Sequence, residues 1–261
     1  MNVVAVIQAR MGSTRLPGKV LAEIGGRSML AQVCRRVARA ATVDRLVVAT
    51  TVRPEDEAVV DECERLGVAC FRGSEHDVLD RYCRAARAYE ADAIVRITAD
   101  CPLIDPDVID LVVRAFLEER PDYAANTLRR TWPRGLDTEV TNSAALARAD
   151  REATEPYQRV HVTPYLYQHP DRFRLLAVSG ARFHRARHVE NVPHVDVPHS
   201  EDFSRHRWTV DLPADLDFVR GIYRRFDGDT FSWEEVLQLL AREPALADVN
   251  GHVRQKHLVE G

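Results

Sequence analysis

Lysine is almost missing from this 261-residue chain: of 36 Lys and Arg residues only Lys19 and Lys256 are lysine. A lysine kept at position 19 against so strong a preference for arginine suggests a site that takes a compact ammonium and not a planar fork; chance is the alternative. Long apolar runs are missing too, since no stretch approaches the ~18 residues of a membrane span. The first residues carry no basic flank, long apolar region or small-residue cleavage site. A soluble, cytoplasmic protein without a membrane partner is expected. There is no basic surplus either: the formal net charge is −4, which argues against nucleic acid as a partner. The five cysteines, Cys34, Cys63, Cys70, Cys83 and Cys101, are odd in number, scattered and without C-x-x-C spacing, so they read as reduced, mostly buried thiols and not as a zinc site or disulfide frame. Repeats and low-complexity tracts are absent.

What the chain does have is concentrated near its beginning. A short apolar run, Val3 to Ile7, suits a buried parallel strand and leads into Gln8-Ala-Arg-Met-Gly-Ser-Thr-Arg-Leu-Pro-Gly-Lys-Val20. Gly12 and Gly18 allow the backbone to turn and approach a ligand, while Arg10, Arg15 and Lys19 bring three cations to one loop. That combination suits a polyphosphate. It is not a Walker A loop: five residues separate Gly12 from Gly18, and Val20 stands where a hydroxyl would be needed. No G-x-G-x-x-G follows the first strand, so a dinucleotide fingerprint is missing as well.

The first 125 residues alternate strand and helix. Strands are expected at 3–8, 45–50, 68–71 and 93–97, with helices at 29–41, from Pro54 to Leu66, at 77–89, and from Asp105-Pro106 to Glu119. This predicts an α/β fold with a mostly parallel, doubly wound sheet and ligands outside the carboxyl ends of its strands. Beyond Asn126 the pattern changes. It offers a strand at 135–141, a helix at 143–150, the segment 157–167 with Pro164 inside, strands near 173–178 and 208–210, a helix from Pro213 to Phe226, and a capping box at Ser232 and Glu235. The His- and Arg-rich residues 180–205 read as loop. One domain over 1–250 is expected, with a loose tail at 251–261.

Two aspartates stand out by position. Asp100 follows the strand 93–97 and Asp211 follows 208–210, each just before a proline-containing turn. Carboxylates at adjacent strand ends can share a magnesium ion that bridges phosphate oxygens. Helix N-capping is the ordinary alternative for each. Asp215 and Asp217, inside the next helix, are expected to be solvated.

The string from Gln8 to Leu21 resembles the signature loop of the sugar-activating cytidylyltransferases, in particular their SpsF-like branch. It is similar, more distantly, to the enzymes that make CMP esters of keto-deoxy-octulosonate and neuraminate. Ile97-Thr-Ala-Asp-Cys-Pro-Leu-Ile104 and Trp208-Thr-Val-Asp-Leu-Pro-Ala-Asp-Leu-Asp-Phe-Val219 resemble the family's two metal-binding motifs. The resemblance implies a Rossmann-like nucleotide-diphospho-sugar transferase fold and CMP transfer from CTP to a small-molecule acceptor. It makes Arg10, Arg15 and Lys19 catalytic, and Asp100 and Asp211 ligands of Mg2+. Gln8, Ala9, Gly12, Ser13 and Thr98 become nucleotide contacts. Gly73, Ser74, Asp80 and Arg81 resemble the segment lying over the nucleoside, although a turn and helix start would read the same.

Gly135-Leu-Asp-Thr-Glu139 and His161-Val-Thr-Pro-Tyr165 resemble acceptor-side strings of the SpsF-like branch, within a segment, 126–205, that also implies a homodimer contact. Asp137 and Glu139, two apart, would share a strand face toward an acceptor hydroxyl or amine. Arg159 would pair with an acceptor carboxylate or an interface acid. His161 would contact the acceptor or simply pack, and Tyr165 would line the same site. Val160 departs from the branch, which shows Glu before the histidine, and 182–207 has no counterpart in it. The acceptor stays open between a sugar acid, another sugar and a phosphonate. A glycosyltransferase is the rival enzyme class, because D-x-D strings occur at Asp105–Asp107, Asp215–Asp217 and Asp227–Asp229. A non-catalytic nucleotide-binding module is the third possibility.

Overall fold

A computed structural model describes residues 1–180, 193–197 and 201–254. In chain order the strands are β1 (Val3–Gln8), β2 (Glu23–Ile24), β3 (Arg27–Ser28), β4 (Arg45–Thr51), β5 (Ala69–Gly73), β6 (Ala93–Thr98), β7 (Tyr123–Ala125), β8 (Glu139–Asn142), β9 (Leu175–Gly180) and β10 (His194–Val197). The α-helices are α1 (Met29–Val37), α2 (Glu57–Leu66), α3 (Val78–Ala88), α4 (Pro106–Glu119), α5 (Ser143–Glu152), α6 (Pro156–His161), α7 (Pro164–Gln168), α8 (Pro213–Tyr223), α9 (Trp233–Arg242) and α10 (Pro244–Gly251).

Eight strands form one sheet in the order β10-β9-β7-β8-β6-β1-β4-β5. All run parallel except β8, which is antiparallel to both β6 and β7. The continuous apolar character of β1 has a direct cause. Val3, Ala5 and Ile7 enter the core on one face, shared with α1, α4, α8 and α9, while Val4 and Val6 enter the other, shared with α3, α5 and α7. A strand buried on both faces has no polar side to alternate with. The chain leaves β1 toward β4 and β5, then returns to add β6 on its other side, so the switch point of the winding lies between β1 and β6. Ligands in such sheets bind where that reversal opens a crevice. Since β7 ends and β8 begins at the carboxyl edge, the loop 126–138 between them crosses the same edge.

The helix starts follow local chemistry. Ser28, Asp77, Asp105 and Asn142 each accept a backbone N–H at the head of α1, α3, α4 and α5, and Ser232 with Glu235 forms the expected capping box on α9.

Several expectations are corrected. Residues 208–210 are not a strand: that segment pairs with 134 only through an isolated parallel bridge, Arg134 to Arg207, and then reaches across to Asp100, whose carbonyl accepts the Val210 N–H at 2.8 Å. The strand expected from Gly135 begins only at Glu139, so Asp137 lies in the preceding loop and the two acids share no strand face. The segment 157–167 splits into α6 and α7 at Val162, whose φ of 74° cannot continue a helix, and Pro164 opens the second. Residues 194–197, read as loop, form β10 in parallel with β9, while 181–192 and 198–200 lie outside the described residues. The expected tail lies mostly outside them too, at 255–261. Four cysteines are buried and Cys70 is partly so, all with free thiols.

Gly135 has φ +109°, and a β-carbon there would lie 2.8 Å from the Trp208 carbonyl carbon and 2.9 Å from the Thr209 nitrogen. Both neighbours are backbone and cannot step aside. Replacing Gly135 by Ala should cost about 3 kcal/mol of stability, read as a lower urea midpoint at unchanged slope; a loss of under about 0.5 kcal/mol would contradict the close approach.

Candidate active site

Lys19 opens the short 3-10 turn Lys19–Leu21 that follows the glycine-framed loop, and it is buried, with 9% of its surface exposed. Its ammonium donates three hydrogen bonds: to Asp100 Oδ2 at 2.9 Å, to Asp211 Oδ1 at 2.9 Å, and to the Val210 carbonyl at 2.7 Å. Three protons meet three acceptors, an arrangement a point-like ammonium can satisfy and a flat guanidinium cannot. This accounts for the lysine at that position. Neither aspartate caps a helix: α4 is capped by Asp105, and the N-cap residue of α8 is Leu212.

Burial alone would lower the Lys19 pKa, but the charges and hydrogen bonds of Asp100 and Asp211 outweigh it and raise the pKa above the ordinary value. Burial would likewise raise that of Asp100. Lys19, with help from Thr98 and Cys101, instead holds it below the usual carboxylate range. Arg15 adds a second cation to Asp211 Oδ1 at 3.0 Å, and Arg207 donates to Asp211 Oδ2 at 2.9 Å.

Behind this cluster lie groups that sequence reasoning passed over. Asp215, expected to be solvated, is fully buried: it meets Arg207 Nε at 2.9 Å, accepts the backbone N–H groups of Asp211 and Leu212 at 3.0 Å each, and accepts from Asn250 at 3.0 Å. It therefore clamps the turn that carries Asp211. Asp217 is exposed as expected, its side chain retaining 65% of its surface. Asp56, also buried, accepts the Met11 backbone N–H at 2.6 Å and the Thr51 hydroxyl, which ties the cationic loop to the end of β4. Arg207 lies in irregular chain and Asp56 in a short 3-10 turn, so no periodicity announced either.

A family profile described as cytidylyltransferase matches residues 4–223. The chain belongs to the cytidylyltransferase family. The spore coat polysaccharide biosynthesis protein SpsF of Bacillus subtilis is 32% identical over 252 residues, covering 94% of this chain and 97% of that protein. A 3-deoxy-manno-octulosonate cytidylyltransferase of Trichlorobacter lovleyi is 40% identical over 131 residues, 49% of this chain and 50% of the relative. The solved structure of a cytidylyltransferase from Leptospira borgpetersenii superimposes with a TM-score of 0.84 at 31% identity, covering 98% of this chain and 100% of the other.

In this cytidylyltransferase the remaining expected residues fall into two groups. Near the cationic loop, Arg10 is half exposed and 3.9 Å from Glu75, which links the loop to the 73–75 segment. The Gln8 amide oxygen accepts from Arg96 at 3.3 Å, the Ala9 N–H bonds the Ala49 carbonyl, and the Ser13 hydroxyl accepts from Leu16 N–H at 3.4 Å. Nothing lies within 4 Å of a β-carbon built on Gly12, so the space beside it is open. Thr98 Oγ1 lies 3.2 Å from the Cys101 sulfur. Gly73 packs on the stem of the buried Arg81, whose guanidinium donates to the Ser74 carbonyl at 2.7 Å; the Ser74 hydroxyl accepts the Asp77 N–H, and Asp80 stays partly exposed, 3.8 Å from Arg84.

The second group is engaged elsewhere. Arg159, expected to meet an acceptor carboxylate or an interface acid, instead pairs within the chain with Asp77 and Asp150, binding α6 to α3 and α5. The Tyr165 hydroxyl donates to Glu152 at 2.8 Å, and His161 closes α6. Glu139 is buried against Arg96 and the Tyr123 hydroxyl, and Asp137 takes both terminal nitrogens of Arg130. A cavity of about 400 Å³ lined by Pro121, Phe173 and Leu175 lies at the start of β9, near Tyr165 and away from the cationic loop.

Two outcomes follow. Asp215→Asn should cost about 3 kcal/mol because it removes the buried charge that Arg207, Asn250 and two backbone N–H groups share, measured by chemical denaturation; a cost near zero would return Asp215 to the surface. Asp100 and Asp215 have depressed folded-state pKa values, so their stabilisation is present above the unfolded carboxylate range, near pH ~4, and is lost as pH falls through the lower folded values. Near-UV circular dichroism should hold at pH 4 and collapse below it, and Lys19→Ala should move the collapse to higher pH.

Proposed function

We propose that the chain transfers CMP from CTP to a sugar or sugar-acid acceptor and releases pyrophosphate. The observation that carries this is the convergence of Lys19, Arg15, Asp100 and Asp211 at the switch point of the sheet, on the cationic loop that follows β1. In the reaction an acceptor oxygen bonds to the α-phosphorus of CTP while the bond from that phosphorus to the bridging oxygen of pyrophosphate breaks. Lys19 and Arg15 stand where the triphosphate would exchange with the carboxylates as their partner, and Arg10, the most exposed of the three cations, would meet it first. Each cation about 4 Å from a phosphate oxygen contributes about 4 kcal/mol at an effective dielectric near 20, before desolvation. Positioning and charge neutralisation supply most of the acceleration in such transfers.

Magnesium belongs to the same proposal. Asp100 meets a cation through Oδ2 alone, its Oδ1 lying 3.6 Å from the Cys101 sulfur, whereas both oxygens of Asp211 are engaged by cations. Among the described residues no three His, Cys, Asp or Glu side chains converge as metal ligands. That fits an ion held by one or two carboxylates and completed by phosphate oxygens and water, the usual mode for magnesium. Asp100 would hold it, joined by Asp211 once Arg15 and Lys19 turn to the nucleotide; the ion would offset charge on the phosphate oxygens.

The glycosyltransferase alternative loses its ligands. Asp105 caps α4, Asp215 is closed around Arg207, and Asp229 is clasped by Arg35 and Arg39, so none of the three D-x-D strings offers a pair of free carboxylates. The reaction is assigned to the cytoplasm, and on the family resemblance to a homodimer, which sedimentation of the whole chain checks. The function is tested by pyrophosphate release from each of the four nucleoside triphosphates against an acceptor panel. CTP alone should be consumed, chelator should stop the reaction and added magnesium restore it. Lys19→Ala should lower kcat about 10²- to 10³-fold; near-normal turnover in that variant, or equal use of UTP, would defeat the assignment.

A further inference from the structure

Gln8 closes β1 at the switch point of the sheet, and its amide is held in one orientation. Its backbone carbonyl accepts the Ala99 N–H at 3.0 Å, one residue before Asp100, and its register partner on β6 is Thr98. Two residues further on, Arg10 lies 3.9 Å from Glu75, so this strand end also borders the 73–77 segment. The Gln8 side chain shares a face of the sheet with Val4 and Val6, the face that α3 covers. There Arg96 Nη2 lies 3.3 Å from the Gln8 amide oxygen. A guanidinium has donors and no acceptor, so the atom turned toward it is the oxygen, and the NH2 group points elsewhere. Arg96 itself has little freedom. It pairs with Glu139 through Nη1, and the other Glu139 oxygen accepts the Tyr123 hydroxyl at 2.6 Å. The side chains of Arg96 and Glu139 retain only 14% and 9% of their surface. Burial and the Glu139 charge hold the Tyr123 phenol well above its ordinary pKa, which keeps it a donor. Gln8 is half-buried, and its amide nitrogen makes no hydrogen bond among the described residues.

A buried ion pair contributes little net stability over an apolar pair of the same size. What this one does is bar the flip that would let the Gln8 amide offer its carbonyl to a ligand. Cytosine and uracil differ in that respect: N3 of cytosine accepts a hydrogen bond, whereas N3 of uracil carries a proton. We propose that Arg96 is a positioning residue for base selection, fixing Gln8 so that its NH2 group donates to N3 of cytosine and offers no acceptor to the N3–H of uracil. The assignment rests on the CMP-transfer function and deepens it by naming what rejects UTP. A base lies one ribose away from its triphosphate. Gln8 correspondingly lies two residues from Arg10, on the side of the cationic loop that Glu75 and α3 close, where the Tyr82 hydroxyl of α3 donates to the Val6 carbonyl at 3.2 Å.

The affinities of the whole chain for CTP and for UTP are measured by calorimetry in the presence of magnesium, and pyrophosphate release from each is followed with the acceptor panel. The native chain should prefer CTP. Gln8→Glu keeps the contact with Arg96 and sets a carboxylate oxygen where the NH2 group was, so the preference for CTP over UTP should fall about 100-fold. Arg96→Gln combined with Glu139→Gln removes both buried charges and lets Gln8 meet its neighbour by either end of the amide. In that double variant UTP affinity should rise and the preference should fall about 10-fold. A merely structural role for Arg96 would weaken both nucleotides alike and leave their ratio where it was. Gln8→Glu leaves the buried pair intact and decides the matter where the double variant does not fold. An unchanged ratio in either folded variant, or a change confined to the acceptor KM, overturns the Arg96 assignment and leaves CMP transfer standing. Equal native affinity for CTP and UTP, or CTP binding with no turnover of any acceptor and no preference over UTP, overturns both.

Discussion

One buried ammonium holds together three parts of the chain that are far apart in sequence. Lys19 lies 81 positions from Asp100 and 192 from Asp211, and it touches both at 2.9 Å. Without a cation between them, two carboxylates brought this close would repel. With it, the Asp100 carboxyl is held below the usual carboxylate range, and the crevice has its ionic groups in place before any nucleotide arrives. Burial penalises each charge separately, so the trio tolerates the loss of one member only if another charge replaces it. On the function proposed above, a triphosphate would be such a replacement for the carboxylates, and a divalent cation would be such a replacement for the lysine.

The scaffold keeps those three groups from drifting. Asp56 fastens the loop ahead of Lys19 to the end of β4, and Asp215 with Arg207 fastens the turn that bears Asp211. Asp100 is set by the end of β6, whose neighbour β1 is packed on both faces. Dense packing resists small displacements, so the two cores add to the direct contacts that hold Asp100 in place. The groups nearest the chemistry thus sit on short connections anchored in rigid strands, which is how a site can be open to ligand and still well placed.

Much of this could be read from residue order alone. The apolar run of β1, the Asp105-Pro106 start of α4 and the Ser232–Glu235 box each carry a local signal with a local cause. The meeting of Lys19 with Asp100 agrees with the rule that ligands gather at the carboxyl edge of a parallel sheet, whereas Asp211 reaches them from irregular chain and not from the strand end expected of it. What escaped was whatever depends on a partner in irregular chain. Asp215 looked solvated because its partner, Arg207, comes from a segment without periodicity. Asp137 looked like a strand residue because the spacing from Gly135 alternates, yet Gly135 is pressed on the Trp208 backbone and the ladder starts later. Arg159 looked available for a ligand because the acids that take it, Asp77 and Asp150, arrive from two other helices.

The reversed strand β8 has a wider consequence. Because β7 and β8 run in opposite directions, the thirteen residues 126–138 leave and re-enter the sheet at one edge, like the bow of a knot whose two ends are tied side by side. Away from Gly135, which is pressed on the Trp208 backbone, such a bow can change without disturbing the register of β1 and β6, the strands that lead to Lys19 and Asp100. The architecture therefore separates heritable change in the loop that crosses the crevice from change in the strands behind its buried charges.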